Sequence, residues 1–544
     1  MRLGVVLLTG WLLVSLALPL WALLSKSFQN ASGQFIGLGN YVRYFSTPAL
    51  FGSIYNSIMV GLLATTIVIP LAFLYAYALT RARLPLKGLL YALALLPLFA
   101  PSLLSAISLI YLFGNQGLLK DLMLGASIYG PIGIVAAQVF YCFPHALIIL
   151  VTALALADAR LYEVAEALGT PKVRVFWTVT LPGAKYGLVN AAFVVFTLSV
   201  TDFGIAKVIG GQFNVLATDA YKQVVGQQNF EMGAVVGMVL LAPAVVAFVI
   251  DRMVQRRQVA LLSARAVPLQ PQPNPIRDAL LTAYCLLVGG LIVGVLSVSV
   301  WASFITYWPY NLAMTLKNYE FGNFDPGGWS PYFNSVAMAS LAAMIGTAIV
   351  FTGAYLVEKT KVFPSGRVLA HLLAMMPMAV PGLVLGLGYV FFFNAPWNPL
   401  NVLYGTLAIL VINTVTHFYT VAHITALTAL KQIDPEFESV SASLKVPFWR
   451  TFGRVTVPIC MPAILDIAVY MFVNALTTVS AVIFLYGPAT KLASIAIVNM
   501  DEMGATAAAA GMATLIVATA LAAKLLQLLL DHYVFGRLQA WRKR

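Results

Sequence analysis

Twelve apolar runs, each close to the ~20 residues that cross a hydrocarbon layer as a helix, limit what this chain can become. They cover residues 3–24, 54–79, 88–113, 131–156, 183–204 and 232–254, then 279–300, 334–357, 368–393, 403–427, 459–485 and 505–530. Inside lipid every backbone N–H and C=O needs a partner within the protein, and a helix supplies one locally. The expected fold class is an all-α membrane protein with twelve transmembrane helices. Composition agrees: 61% of residues are hydrophobic and 9% charged, which excludes a soluble globular domain. The first run, behind Arg2 alone, is too long for a signal peptide's core and lacks a clean small-x-small site before Ser25. It is expected to be a retained helix.

The runs fall into two sets of six because the chain repeats. Shifted by 276 positions, residues 158–182 overlay 434–458 without a gap. Leu168 meets Leu444, Pro171 meets Pro447, Arg174 meets Arg450, Phe176 meets Phe452 and Pro182 meets Pro458. Upstream, Asn40-Tyr41 and Asn56-Ser57 recur as Asn318-Tyr319 and Asn334-Ser335, Ala76-Tyr77 as Ala354-Tyr355, and Pro97 with Pro101 as Pro377 with Pro381. Two similar halves in one chain are implied, residues 1–255 and 278–544. Between them, 256–277 carries Pro268, Pro271, Pro273 and Pro275 and predicts a polyproline-like linker. Six spans per half bring the chain back to its starting side, so the halves are parallel repeats.

Lys and Arg decide which side is which. Of 32, twenty-five fall beside one set of loops and both termini, and seven beside the other. The positive-inside rule places the twenty-five, both termini, and the loops 158–182 and 434–458 in the cytoplasm. The +13 balance is then topological and calls for no nucleic acid.

Residues 163–182 are a water-facing island between apolar runs. Good helix formers fill 163–168, and Gly169 can take the left-handed conformation that ends a helix. Thr170 and Pro171 read as N-cap and first residue of the next helix. There Val173, Phe176, Trp177 and Thr180 share a face. An amphipathic knob of this kind suits a groove on a soluble partner. In the second copy Ser439, Ser441 and Lys445 stand where the first has Glu163, Ala165 and Gly169. Its corner is expected to bend differently or to carry about 1 kcal/mol of strain.

These residues resemble the EAA loop of ABC-importer permeases, whose signature is EAA, a glycine four residues after the last alanine, and a later LP. Glu163, Ala165, Gly169, Leu181 and Pro182 match, with Val164 in place of the first alanine. Nearly the whole chain resembles fused permeases of importers fed by an external (periplasmic) binding protein. The resemblance implies a bacterial inner-membrane location, two copies of an ATPase subunit that hold ATP and Mg, and loops that seat in clefts of those subunits. Relatives of this shape handle ferric iron, thiamine and phosphonates. The stretch from Thr201-Asp202-Phe203-Gly204 to Ala217-Thr218 looks most like the group assigned to 2-aminoethylphosphonate uptake.

The fifth run of the first half carries Asn190, Thr197, Thr201 and Asp202; its counterpart offers Asn474, Thr477 and Thr478, with no acid. Polar groups at membrane depth face protein or water. An asymmetric path wall with one carboxylate is expected, suited to a cargo with a positive group. The alternative is a helix-end acid in outside water. Residues 207–230 predict a partly embedded helix or gate. Aromatics in the outer loops 35–51 and 307–333 read as an interfacial belt, with a landing surface for the binding protein as the alternative. No GxxxxGK[ST] phosphate loop occurs, so no cofactor is predicted in this chain. Gly382 and Gly386 read as close helix packing. Cys142, Cys285 and Cys460 read as packing residues, and His145, His371, His417 and His423 as hydrogen-bonded ones. No catalytic or metal-ligating set is predicted. An ion-coupled secondary transporter is the competing class; it calls for buried carboxylates or a linked histidine chain, and for inverted halves.

Overall fold

The structure, a computed structural model, describes residues 1–261, 269–360, 363–434 and 436–535. Among these, eight helices are long and apolar enough to cross a membrane, and four further stretches are bent helix pairs, which gives up to twelve crossings. The bent pairs correct the straight spans expected for 88–113, 368–393, 403–427 and 459–485. Lys87–Phe99 meets Ser102–Phe113 at 99°, and Pro364–Ala379 meets Gly382–Phe393 at 115°. Each of these bends sits on the repeated proline pair. Pro101 and Pro381 hold extended backbone at the helix start that follows a short 3₁₀ turn. Leu407–His417 meets Tyr419–Lys431 at 56°. The eleventh run is helical only to Thr477, because Thr478 turns to extended backbone.

The sequence halves are not separate bodies in space. The first helical stretch, Arg2–Ser27, packs against Gly382–Phe393 and Pro364–Met375 of the second half. A Cβ on Gly388 would lie 2.7 Å from the Pro19 carbonyl oxygen, so only glycine admits this approach. Reciprocally, Pro275–Ser303 packs against the first half. The Tyr284 hydroxyl donates to the Leu71 carbonyl at 2.8 Å, and Ser108 and Ser299 share a buried hydrogen bond of 2.6 Å. The domain boundary near residue 255 therefore divides the sequence but not the packing, because each half lends its first span to the other.

The repeated residues make repeated bonds. Asn40 donates to the carbonyls of Ser27 and Gln29, at 3.0 and 2.8 Å; Asn318 donates to those of Ser303 and Ile305, at 3.0 and 2.7 Å. Both asparagines fold the chain back after a half's first span. The Ser57 hydroxyl accepts from the Leu216 N–H, and Ser335 from the Ala493 N–H, each at 2.8 Å. The helices so held, Leu216–Tyr221 and Ala493–Glu502, are mostly buried. Leu216–Tyr221 is a short helix within the 207–230 stretch, buried in the protein.

A small hairpin, Ile305–Tyr307 with Asn311–Met314, interrupts the all-helical pattern in the loop after Pro275–Ser303. Its turn residue Trp308 donates to the Gln116 carbonyl at 3.1 Å, and Gln116 donates to the Tyr310 hydroxyl at 3.0 Å. The linker is shorter than expected. Helix Phe230–Leu261 runs into it from one side and Pro275 already opens the next helix. Pro268 lies outside the described residues. Arg83 donates to the Pro271 carbonyl at 3.0 Å and Gln272 to Glu166 at 3.4 Å, so residues 271–272 rest on the first half's loops.

Candidate functional site: two loops on one face

Asp158 opens the first loop helix, Ala159–Ala167, by accepting from the Arg160 N–H at 3.1 Å. Burial pins one side of that helix through Ala165, while Glu163 faces outward. At its end Gly169 adopts φ +65°. The Thr170 N–H reaches the Ala165 carbonyl and the Gly169 N–H the Glu166 carbonyl, both at 2.9 Å. This is the paired closure of a helix end that a left-handed residue permits. The next helix starts one residue later than expected: Pro171 is the N-cap, in extended backbone, and Thr170 belongs to the closing turn.

That next helix does not end in the loop. Lys172–Thr201 runs on as the fifth span of the first half, through one wider turn at Phe176–Thr180. The wider turn splits the face expected to be shared. Thr180 turns inward and Phe176 packs edge-on against Phe73 and Tyr77, while Val173 and Trp177 stay exposed. In the second half Phe448–Ile459 bends by 77° into Met461–Thr477 at Cys460, between Pro458 and Pro462. Phe452 there packs against Phe351 and Tyr355, the repeat of the same contacts. The sequence repeat carries these pairs, though periodicity alone does not single them out.

The second corner bends as the first does. Lys445 takes φ +54°, and the Val446 N–H closes on the Ser441 carbonyl at 2.9 Å. Of the two outcomes expected, the corner keeps the same bend, with a non-glycine residue in the left-handed region. Where Ala165 packs, the Ser441 hydroxyl bonds to Thr451. The exposed apolar positions also recur. Leu161, Val164, Leu168 and Val173 on the first loop correspond to Phe437, Val440, Leu444 and Trp449 on the second. A cavity of about 590 Å³ opens beside the latter, with Arg450 and Arg454 in its wall.

The residues expected along a path lie on two corresponding helices. Three of them bond within their own helix: Thr201 to the Thr197 carbonyl at 2.8 Å, Asn474 to that of Tyr470 at 2.8 Å, and Thr477 to that of Val473 at 3.0 Å. The Asn190 Oδ1 is buried without a hydrogen bond among the described residues. The Thr478 carbonyl accepts from Ser494 at 2.7 Å. Asp202 accepts from the Ile205 N–H at 2.8 Å and so caps Gly204–Ile209, with Ser102 and Gln138 beside it. It is a helix-end acid of intermediate exposure. The helix after Asp202, Gly204–Ile209, packs against Ala493–Glu502 of the second half, at the junction of the halves. Further out, Lys207 pairs with Glu502 across that junction and lies 4.8 Å over the Tyr221 ring. Burial pushes the neighbouring Asp501 carboxyl up to about 6, against the pull of a hydrogen bond to Thr506.

A family model described as the inner membrane component of binding-protein-dependent transport systems matches twice, at residues 68–259 and 349–535. Each match contains one loop. The chain belongs to this family.

The permease is 29% identical over 457 residues to a Haemophilus influenzae protein named for a ferric transport system, across 81% of this chain and 70% of that one. A ferric transport system permease protein of Actinobacillus pleuropneumoniae is 27% identical over 486 residues, 86% of this chain and 68% of the relative. A molybdenum transport system permease protein of Mycobacterium tuberculosis is 29% identical over 208 residues, 38% of this chain and 79% of the relative. One contact in the permease escaped sequence reasoning. His371 and His423, on different helices, bring ring nitrogens within 3.4 Å of each other. No spacing along the chain signals that meeting.

Proposed function

We propose that this permease forms the path for ferric iron, handed over by an external binding protein and driven by two ATPase subunits docked on its two loops. The observation that carries the reading is the double family match, with one loop in each half. The cargo rests on relatives named for ferric transport across most of the chain. They favour iron over 2-aminoethylphosphonate, whose support is the sequence stretch around Asp202 alone. In this reading ATP and Mg sit on the ATPase subunits. Their closure moves the loops and turns the cavity outward, and hydrolysis resets it. Each ligand can drive the change only by binding one state better than the other. The excess of Lys and Arg supports a cytoplasmic place for both loops and both termini.

The test is uptake into proteoliposomes that hold the permease and its ATPase, with the binding protein outside. Ferric uptake that requires ATP, and that excess 2-aminoethylphosphonate leaves unchanged, is the expected result. Uptake on an ion gradient without ATP would sink the importer reading. Within it, Asp202 is proposed as the acid that meets a cationic cargo. Asn caps a helix about as well as Asp, so Asp202→Asn removes charge while keeping the cap. About tenfold weaker uptake with ATPase docking intact is expected, the loss of ~1.4 kcal/mol at the transition state. Unchanged uptake kinetics would remove Asp202 from the path.

A further inference from the structure

The repeat that places Ala76-Tyr77 on Ala354-Tyr355 also places Arg81 on Lys359, at the cytoplasmic end of each half's second span. Both cations turn back into the protein. Arg81 is buried, and its Nη2 donates to the Leu154 carbonyl at 2.9 Å, at the end of the fourth span. Its guanidinium carbon lies 5.3 Å from the Tyr162 ring centre. Tyr162 stands on the first loop helix, and its hydroxyl donates to Thr180 at 3.0 Å on the helix that follows. One cation thus touches the end of a span and the loop, and through Tyr162 the loop's exit. In the second half Lys359 donates to the Ile433 carbonyl at 3.1 Å and pairs with Glu438 at 3.0 Å. Glu438 occupies the position of Tyr162.

We propose that Arg81 and Lys359 are positioning residues that tie each loop to the second span of its own half, and so carry loop movement into the membrane helices. The chemistry differs between halves but is matched within each. A guanidinium lies over the ring of Tyr162 and donates to its hydroxyl at 3.4 Å, whereas an ammonium is a point charge suited to the carboxylate of Glu438. Both partners differ between the halves, and a contact is present in each. The two ties should also respond differently to salt. An ion pair weakens as the screening length falls to about 3 Å near 1 M salt, and a packed cation over a ring weakens less. The proposal rests on the reading that the loops receive the ATPase.

The experiment uses the full permease with its ATPase and binding protein in proteoliposomes and reads ATP hydrolysed per ferric ion taken up. ATPase co-purification and melting temperature are followed in parallel. Lys359→Glu and Glu438→Lys are each expected to raise that ratio about fivefold or more, the span of a typical coupling between sites, while the ATPase still co-purifies. The double swap is expected to bring it back to within about threefold of wild type, the remainder reflecting the lost bond to the Ile433 carbonyl. Arg81→Lys with Tyr162→Glu is expected to give the first loop the salt sensitivity of the second. Singles that couple normally, or a double swap as uncoupled as the singles yet melting with wild type, overturn the assignment. An ATPase that fails to co-purify even with the wild type would overturn the docking reading instead.

Discussion

Gly169→Pro is expected to raise the ATP consumed per transported ion by at least about tenfold while the permease still inserts and its spans still pack, a coupling loss of ~1.4 kcal/mol or more. Two features make the substitution severe. Gly169 sits at φ +65°, and proline is confined near −65°. Its N–H also closes the loop helix on the Glu166 carbonyl, and proline has none to give. The corner must open, and the second helix, which is the start of the fifth span, loses its fixed angle to the first. The reverse change at the other corner is the control. Lys445→Gly relieves a left-handed non-glycine residue, worth about 1 kcal/mol, and should leave coupling intact or improve it. Glu163→Lys tests the surface itself, because Glu163 is exposed and its change alters what a partner meets. Normal hydrolysis per ion in Gly169→Pro and Glu163→Lys would rule out a docking role for this loop.

Gly388→Val acts on the fold rather than the loops, and its expected effect is loss of properly assembled protein. The first span reaches the second half where Gly388 faces the Pro19 backbone, and a Cβ there would stand 2.7 Å from a carbonyl oxygen and 3.0 Å from its carbon. Backbone cannot swing aside as a side chain does, so the span must move. Overpacking of this kind costs about 1–3 kcal/mol or more, and a valine adds two methyls to the clash. The measurement is the melting temperature and the monodisperse yield of the purified permease. Gly290, which meets nothing within 4 Å, supplies a matched control as Gly290→Val. Equal behaviour of the two variants would mean that the first span does not dock on the second half.

Much of this architecture is legible in the chain because lipid leaves few choices. Twelve apolar runs and a 276-residue offset suffice for two parallel six-span halves, and Gly169 announces its own left-handed corner. What stays hidden is tertiary. Hydropathy cannot distinguish a straight span from one bent by 115°, although the repeated Pro377 and Pro381 mark the place. Nor does a pattern of apolar residues say which half a first span joins, since either offers an equally oily surface. That choice rests on close approaches such as Gly388 to Pro19. The polar residues of the fifth spans suggest a path wall, and Thr201, Asn474 and Thr477 also bond to their own helices. A hydroxyl four residues from a carbonyl has that option in any helix, so polarity alone does not identify a ligand site.

Leu168 and Leu444 are 76% and 70% exposed at matching positions of the two loops, which makes them the most direct probes of what the loops do. Each is replaced by cysteine in otherwise intact permease, in inner-membrane vesicles that contain the ATPase, and treated with a short bifunctional reagent. A cross-link from each site to an ATPase subunit, with labelling only from the face where ATP is hydrolysed, is the expected result. Cysteines that react from the opposite face, or that remain sealed in lipid and never reach an ATPase, would contradict it.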